Sequence, residues 1–101
     1  MYRILLVCAA GMSTSLLVTR MRKAAEENNI DAKIDAMPLM KVDASVKDNW
    51  DIIMLGPQVK NEKIGLEKKT QHGLPIAVIG MRDYGMMDGK AVVEQAVHQL
   101  G

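Results

Sequence analysis

Phenylalanine is absent from this 101-residue sequence, and only Tyr2, Trp50 and Tyr84 are aromatic. Stacking on bases or sugar rings would have to use one of those three side chains. Cysteine occurs once, as Cys8. A single thiol excludes an internal disulfide and a cysteine-rich zinc site. Without a Cys-x-x-Cys pair, a thioredoxin-type redox role is excluded as well. An excess of one charge is also lacking: 13 Lys and Arg against 12 Asp and Glu leave a formal net charge of +1. That balance carries no electrostatic footprint for nucleic acid or for an anionic membrane. No apolar run approaches the roughly 20 residues that span a bilayer. The apolar stretch 4–10 starts too near the N-terminus for a secretory signal, and the bulky Val7 before Cys8 disfavours lipoprotein cleavage. The expectation is a cytoplasmic protein. Neither Gly-x-x-x-x-Gly-Lys-Ser/Thr nor Gly-x-Gly-x-x-Gly occurs, which argues against a nucleotide loop. No metal-ligand cluster is visible, and no metal or cofactor is expected.

What the sequence does contain is ordinary for a globular chain: 49% hydrophobic and 25% charged residues. Length predicts one domain over residues 1–101. Nine methionines adapt to gaps that aromatics would otherwise fill. Residues 3–7 form a short run rich in branched side chains, which reads as a strand buried on both faces. From Ser13 the pattern is helical, with Leu17, Met21 and Ala24 on one face, until Asn28-Asn29 ends it. Ile30, Ala32, Ile34 and Ala36 alternate with Asp31, Lys33 and Asp35, as in a half-buried strand near an edge. Residues 37–49 are hard to read; Pro38 breaks them early, and a short helix or irregular crossover is placed at 39–47. Residues 51–55 make another central strand, stopped by Gly56-Pro57. A helix is expected over 60–70, ended by Gly73, then a strand over 75–79 and a loop over 80–87. Asp88 caps a last helix that buries Val92, Val93, Ala96, Val97 and Leu100. This alternation predicts an α/β fold with a parallel sheet.

In such sheets ligands sit beyond the carboxyl ends of the strands. Three features fall there: Cys8, then Gly56-Pro57-Gln58, then the stretch from Gly80 to Tyr84. The turn after the first strand, Cys8-Ala9-Ala10-Gly11-Met12-Ser13-Thr14-Ser15, is made of small residues apart from Met12. Gly11 can take a positive φ. Successive amide N–H groups in such a turn form an anion nest, and the following helix N-terminus adds further donors. Ser13, Thr14 and Ser15 supply hydroxyls. A cysteine at that mouth is favoured as a thiolate, a nucleophile placed to attack a bound phosphate. A lone cysteine at a strand end is more commonly a small core residue; the neighbouring turn is what reverses that reading here. Small cysteine phosphatases and arsenate reductases use the same turn, but resemble a pattern with arginine six residues after cysteine. Here that place holds Thr14, and the next arginine is Arg20. Pro57, Gln58 and Tyr84 are candidate partner contacts, and Met12, with Met86 and Met87, suits an adaptable docking rim. His72 and His98 read as solvated.

Cys8-x-x-Gly11-Met12-Ser13-Thr14-Ser15, Leu55-Gly56-Pro57-Gln58-Val59 and Tyr84-Gly85-x-x-Asp88-Gly89 together resemble the enzyme IIB component of the bacterial sugar phosphotransferase system, of the lactose, cellobiose and chitobiose type. The resemblance implies a four-stranded parallel open sheet of order 2-1-3-4 with helices on both faces. It implies that Cys8 accepts a phosphoryl group from a phosphohistidine on a IIA partner. The group then passes to a sugar, a β-linked disaccharide such as cellobiose, chitobiose or lactose, held by a membrane IIC partner with which the chain associates transiently. Ala9, Ala10, Gly11, Met12, Ser13, Thr14 and Ser15 then form the phosphate cradle. Gly80 departs from relatives that often carry aspartate there. Two other readings stand beside this one. One is a low-molecular-weight cysteine phosphatase or arsenate reductase, against which Thr14 argues. The other is a regulatory binding module with a buried Cys8.

Overall fold

The computed structural model describes residues 1–9 and 12–101, and the side chains of all of these except residues 12 and 13. Among them, four strands alternate with helices: β1 (Tyr2–Cys8), α1 (Met12–Glu27), β2 (Ala32–Pro38), α2 (Val46–Asn49), β3 (Ile52–Leu55), α3 (Lys63–Lys69), β4 (Ile76–Val78), α4 (Met81–Gly85) and α5 (Gly89–Leu100). Turns of 3-10 helix, Leu39–Lys41 and Pro57–Glu62, lie before α2 and α3. The sheet is parallel, in the order β2-β1-β3-β4.

Strand β1 is central, and its residues from Ile4 to Cys8 are all buried. A strand sends alternate side chains to opposite faces, so this uninterrupted apolar run feeds two cores. Ile4 and Leu6 join Leu17, Met21, Val92 and Ala96 under α1 and α5. Leu5 and Val7 join Val46, Trp50, Val59 and Leu66 under α2 and α3. Each fully buried Leu, Ile or Val contributes about 1.5–3 kcal/mol relative to exposure. Edge strand β2, by contrast, fully buries only Ile34. Its free edge is covered from α1, where Arg22 Nε and Nη2 donate to the Ile34 carbonyl at 3.0 and 2.6 Å. At the other edge, Gln95 Nε2 on α5 donates to the Val78 carbonyl of β4 at 3.1 Å. Exposed edges invite pairing with other chains, and these side chains blunt both.

Of the two readings left open at 39–47, a short helix or an irregular crossover, the structure shows the crossover, made of the turn Leu39–Lys41 and α2. Between them Asp43 Oδ1 accepts from the Ser45 amide at 2.9 Å and from its hydroxyl, a local turn that competes with helix. The helix expected over 60–70 is divided between the end of the 3-10 turn Pro57–Glu62 and α3, which is confined to Lys63–Lys69. Its end is not made by Gly73. Thr70 Oγ1 donates back to the Leu66 carbonyl at 2.9 Å, and Gln71 and His72 take left-handed φ values of 57° and 54°. Gly73 serves packing instead, since a Cβ there would lie 2.6 Å from Lys47 Cδ. Finally, the loop placed at 80–87 contains α4, which one buried side chain, Tyr84, ties to the first core. Asp88 does cap α5, accepting from the Ala91 amide at 3.1 Å, while Val97 and Leu100 are only partly buried.

Candidate active site

The chain leaves β1 for β2 on one side and later crosses to β3 on the other. Strand order therefore reverses at the carboxyl end of β1, where an open parallel sheet forms its crevice. Cys8 stands there, paired in register with Pro38 of β2. On the β3 side, the Gly56 amide donates to the Val7 carbonyl at 2.9 Å, bringing the Gly56-Pro57-Gln58 turn against the same strand end.

Cys8 is buried, with 5% of the residue exposed, and does not stand on an open surface. Its Sγ shares a hydrogen bond with Thr14 Oγ1 in the first turn of α1. Thr14 itself is 1% exposed. The residue that stands in place of a phosphatase arginine thus touches the sulfur. When the sulfur is a thiolate, the hydroxyl is its donor. Helix α1 runs for 16 residues and has no acidic residue in its first turn. The positive end of its dipole lies at this strand end, with no carboxylate in the first turn to compete with an anion.

Of the expected phosphate cradle, Ala9 is exposed beside Cys8, Met12 opens α1, and Ser15 is exposed one residue after Thr14. Ala10 and Gly11, and the side chains at positions 12 and 13, lie outside the described residues. The positive φ expected at Gly11 therefore stays an expectation. Of the expected docking residues, Pro57, Gln58 and Tyr84 do come together. With Met81 and Gly85 they line a depression of about 220 Å³. Gly56 sits where these residues converge: a Cβ there would lie 3.3 Å from Gln58 Oε1, 3.4 Å from Cys8 Cβ and 3.7 Å from Tyr84 Cε1. Tyr84 needs correcting in one respect. It is not a surface loop residue but is 6% exposed, packed in the first core with its ring edge toward Gly56.

The structure also adds residues that the sequence reading passed over. Leu39, Met40, Gly65 and Leu66, with Glu62 and Lys69, line a groove of about 440 Å³ that reaches Ala9 beside the strand end. The only hint in the sequence was the apolar pair Leu39-Met40, directly after the proline that closes β2. His72 and His98 are both exposed and stand away from the sulfur. His72 precedes β4, and His98 lies in the last turn of α5. Among the described residues no three His, Cys, Asp or Glu side chains gather as a metal site. No helix among them is long and apolar enough to cross a membrane.

At the opposite end of the sheet, Arg3 and Asp51 tie β1 to the start of β3. Arg3 Nη2 and Nε donate to Asp51 Oδ1 at 2.8 and 3.2 Å, and the Arg3 amide donates to Oδ2 at 2.9 Å. The side-chain bonds from Arg3 hold the Asp51 carboxyl below its usual range, against the smaller opposing effect of desolvation.

Comparison with known proteins agrees with this geometry. Residues 3–95 match the family described as "PTS system, Lactose/Cellobiose specific IIB subunit". The chain is 46% identical over 98 residues to the galactose-specific EIIB component of Lactococcus lactis subsp. cremoris, covering 92% of this chain and 91% of that one. It is 45% identical, with the same coverage, to the cellobiose-specific EIIB component of Lactococcus lactis subsp. lactis. The solution structure of a cellobiose-specific phosphotransferase IIB component from Borrelia burgdorferi superposes with a TM-score of 0.77. That match has 42% identity and covers 96% of this chain and 89% of the other.

Proposed function

The chain belongs to the lactose/cellobiose-specific IIB family of the sugar phosphotransferase system, and on that membership we propose that Cys8 is its phosphoryl carrier. A IIB component is a phosphotransferase component that works between IIA and IIC partners. For this chain the reading is as follows. The Cys8 thiolate attacks the phosphorus of a phosphohistidine on IIA in line. The S–P bond forms, the P–N bond breaks, and the imidazole leaves with the electron pair. In the second step a hydroxyl of the sugar held by IIC attacks the same phosphorus. The O–P bond forms, the S–P bond breaks and the thiolate returns, while the hydroxyl proton goes to a base.

The observation that carries this reading is the Cys8–Thr14 contact at the N-terminus of α1. It joins a nucleophile, a hydroxyl donor and a helix dipole at one strand end. Phosphoryl transfer needs chiefly positioning and donors for the equatorial oxygens. The Thr14 hydroxyl, the amides of the turn formed by Ala9, Ala10, Gly11, Met12 and Ser13, and the hydroxyls of Ser13 and Ser15 are assigned that work. Pro57, Gln58, Tyr84 and Met12 are assigned to partner docking. The substrate class is a β-linked disaccharide. Relatives at nearly equal identity carry galactose and cellobiose in their names, which fits a choice of sugar made by the membrane partner.

Membrane vesicles bearing the IIC partner, with phosphoenolpyruvate, the general phosphotransferase proteins and IIA, test the reading. Sugar phosphorylation across a panel of galactosides and glucosides should require this chain and be lost with Cys8→Ser. Activity that survives Cys8→Ser would overturn it. The low exposure of Cys8 favours one second reading, a binding module whose cysteine is inert. In that case a small thiol reagent would label the folded protein no faster than global unfolding exposes the residue.

A further inference from the structure

Among the described residues the exposed large apolar side chains, Met1 apart, are Leu16, Met40, Ile64, Met81 and Met86. Leu16 lies on α1 after β1, Met40 follows β2, Ile64 lies on α3 after β3, and Met81 on α4 after β4. Each strand of the parallel sheet thus carries one on the segment that leaves its carboxyl end, the end where Cys8 sits. Apolar side chains grouped in this way mark an interaction surface. A groove of about 440 Å³ lies there between Leu39-Met40 and α3 and reaches Ala9 beside the sulfur.

We propose that this groove receives an apolar side chain of the phosphohistidine-bearing IIA protein, set in an acidic face. The inference rests on the function proposed above and adds the seat of the donor. Charge decides between the two partners. The two 3-10 turns and α3 carry Lys41, Lys60, Lys63, Lys68 and Lys69 against Glu62 and Glu67. Cytoplasmic loops of membrane proteins are themselves enriched in Lys and Arg. Glu62 and Lys69 line the groove itself, and the lysine excess of the segments around it repels such loops and attracts an acidic soluble protein, steering its approach. The concave shape takes a protruding side chain better than a flat lipid surface.

Gly65 gives the groove a clean test. A Cβ on Gly65 would meet nothing within 4 Å, and a longer side chain there would occupy the groove between Leu39-Met40 and α3. Glycine inside a helix is also unfavourable relative to alanine. Gly65→Ala should therefore raise the thermal midpoint, and Gly65→Leu should fold. The wild-type chain is first incubated with phosphoenolpyruvate, the general phosphotransferase proteins and each IIA protein of its host, and the IIA that charges Cys8 fastest is used. Gly65→Leu should raise KM for that phosphorylated IIA about tenfold or more, as loss of a buried anchor does, with kcat nearly unchanged. Met40→Ser, at a side chain 83% exposed, should raise KM in the same sense if Gly65→Leu does not fold. A folded Gly65→Leu protein with wild-type KM would overturn the inference. So would a variant that loses only the sugar step in IIC vesicles, or only binding to anionic lipid vesicles, while IIA transfer is unchanged. Failure of every IIA to charge wild-type Cys8 is a different result: it removes the proposed function itself, and this seat with it.

Discussion

Thr14 Oγ1, in the first turn of α1, shares a hydrogen bond with the Cys8 sulfur. The sequence marks it by what it is not, an arginine six residues after the cysteine. The structure places it nine-tenths and more buried, in contact with the sulfur. A hydroxyl there can donate to the thiolate and then to a phosphoryl oxygen, with no fixed positive charge. Thr14→Val keeps the volume and removes the donor. It should slow phosphoryl transfer from IIA by about 10²-fold, the usual cost of one lost donor at a transferring group, while Thr14→Ser keeps most of the rate. Rapid-quench measurement of phosphorylated Cys8 checks both. Equal rates for the valine variant and wild type would remove Thr14 from the chemistry. Cys8, Pro57 and Gln58 were legible for one reason: each closes a strand whose apolar run is unmistakable. Leu39, Met40 and Gly65 were not, because their groove joins segments distant in sequence and neither segment has a periodic pattern.

Among the elements, β1 and β3 were easy to read because burial on both faces leaves nothing but apolar residues from Ile4 to Val7 and from Ile52 to Leu55. Helix α4 was missed because five residues held by one anchor, Tyr84, have no period to detect. Residues 37–49 were hard to read for another reason. Val42, Val46 and Trp50 are all buried and spaced as on a helix, yet the Asp43–Ser45 turn diverts the backbone between them. The strand order came with the family resemblance, since local patterns do not encode it. The contact of α1 with α5 matters most to the site, because α1 carries Thr14. It depends on Gly89, where a Cβ would lie 2.4 Å from the Arg20 carbonyl carbon and 2.6 Å from the Met21 amide nitrogen. Backbone cannot yield as a flexible side chain does. Gly89→Ala should destabilise the protein by about 1–3 kcal/mol through overpacking, seen as a lower urea midpoint. An unchanged midpoint would show that the helices separate at little cost.

The whole molecule divides its two ends between stability and chemistry. At the amino ends of the strands, Arg3 holds the Asp51 carboxyl below its usual range. A depressed carboxyl stabilises the fold above its unfolded pKa of about 3.9 and loses that contribution as pH falls through the lower folded value. Wild type should therefore be more stable than Asp51→Asn at neutral pH, with the gap closing in acid below about pH 4. Urea titrations at several pH values test this, and a gap that is constant with pH would contradict it. At the carboxyl ends, Thr14 beside the buried thiol stands where a phosphatase would carry arginine, and weak hydrolysis is expected. Loss of such an arginine can cost about 10³-fold or more in rate. The isolated chain should leave aryl phosphates intact and accept phosphate rapidly only in complex with IIA. The central claim, that Cys8 is the carrier, is tested most directly by charging the chain with phosphoenolpyruvate, the general phosphotransferase proteins and IIA, then mapping the modified residue by mass spectrometry under conditions that preserve the S–P bond. The account predicts one phosphoryl group per chain, on Cys8, and none on Cys8→Ser; label on His72 or His98, or on a Cys8→Ser chain, would contradict it.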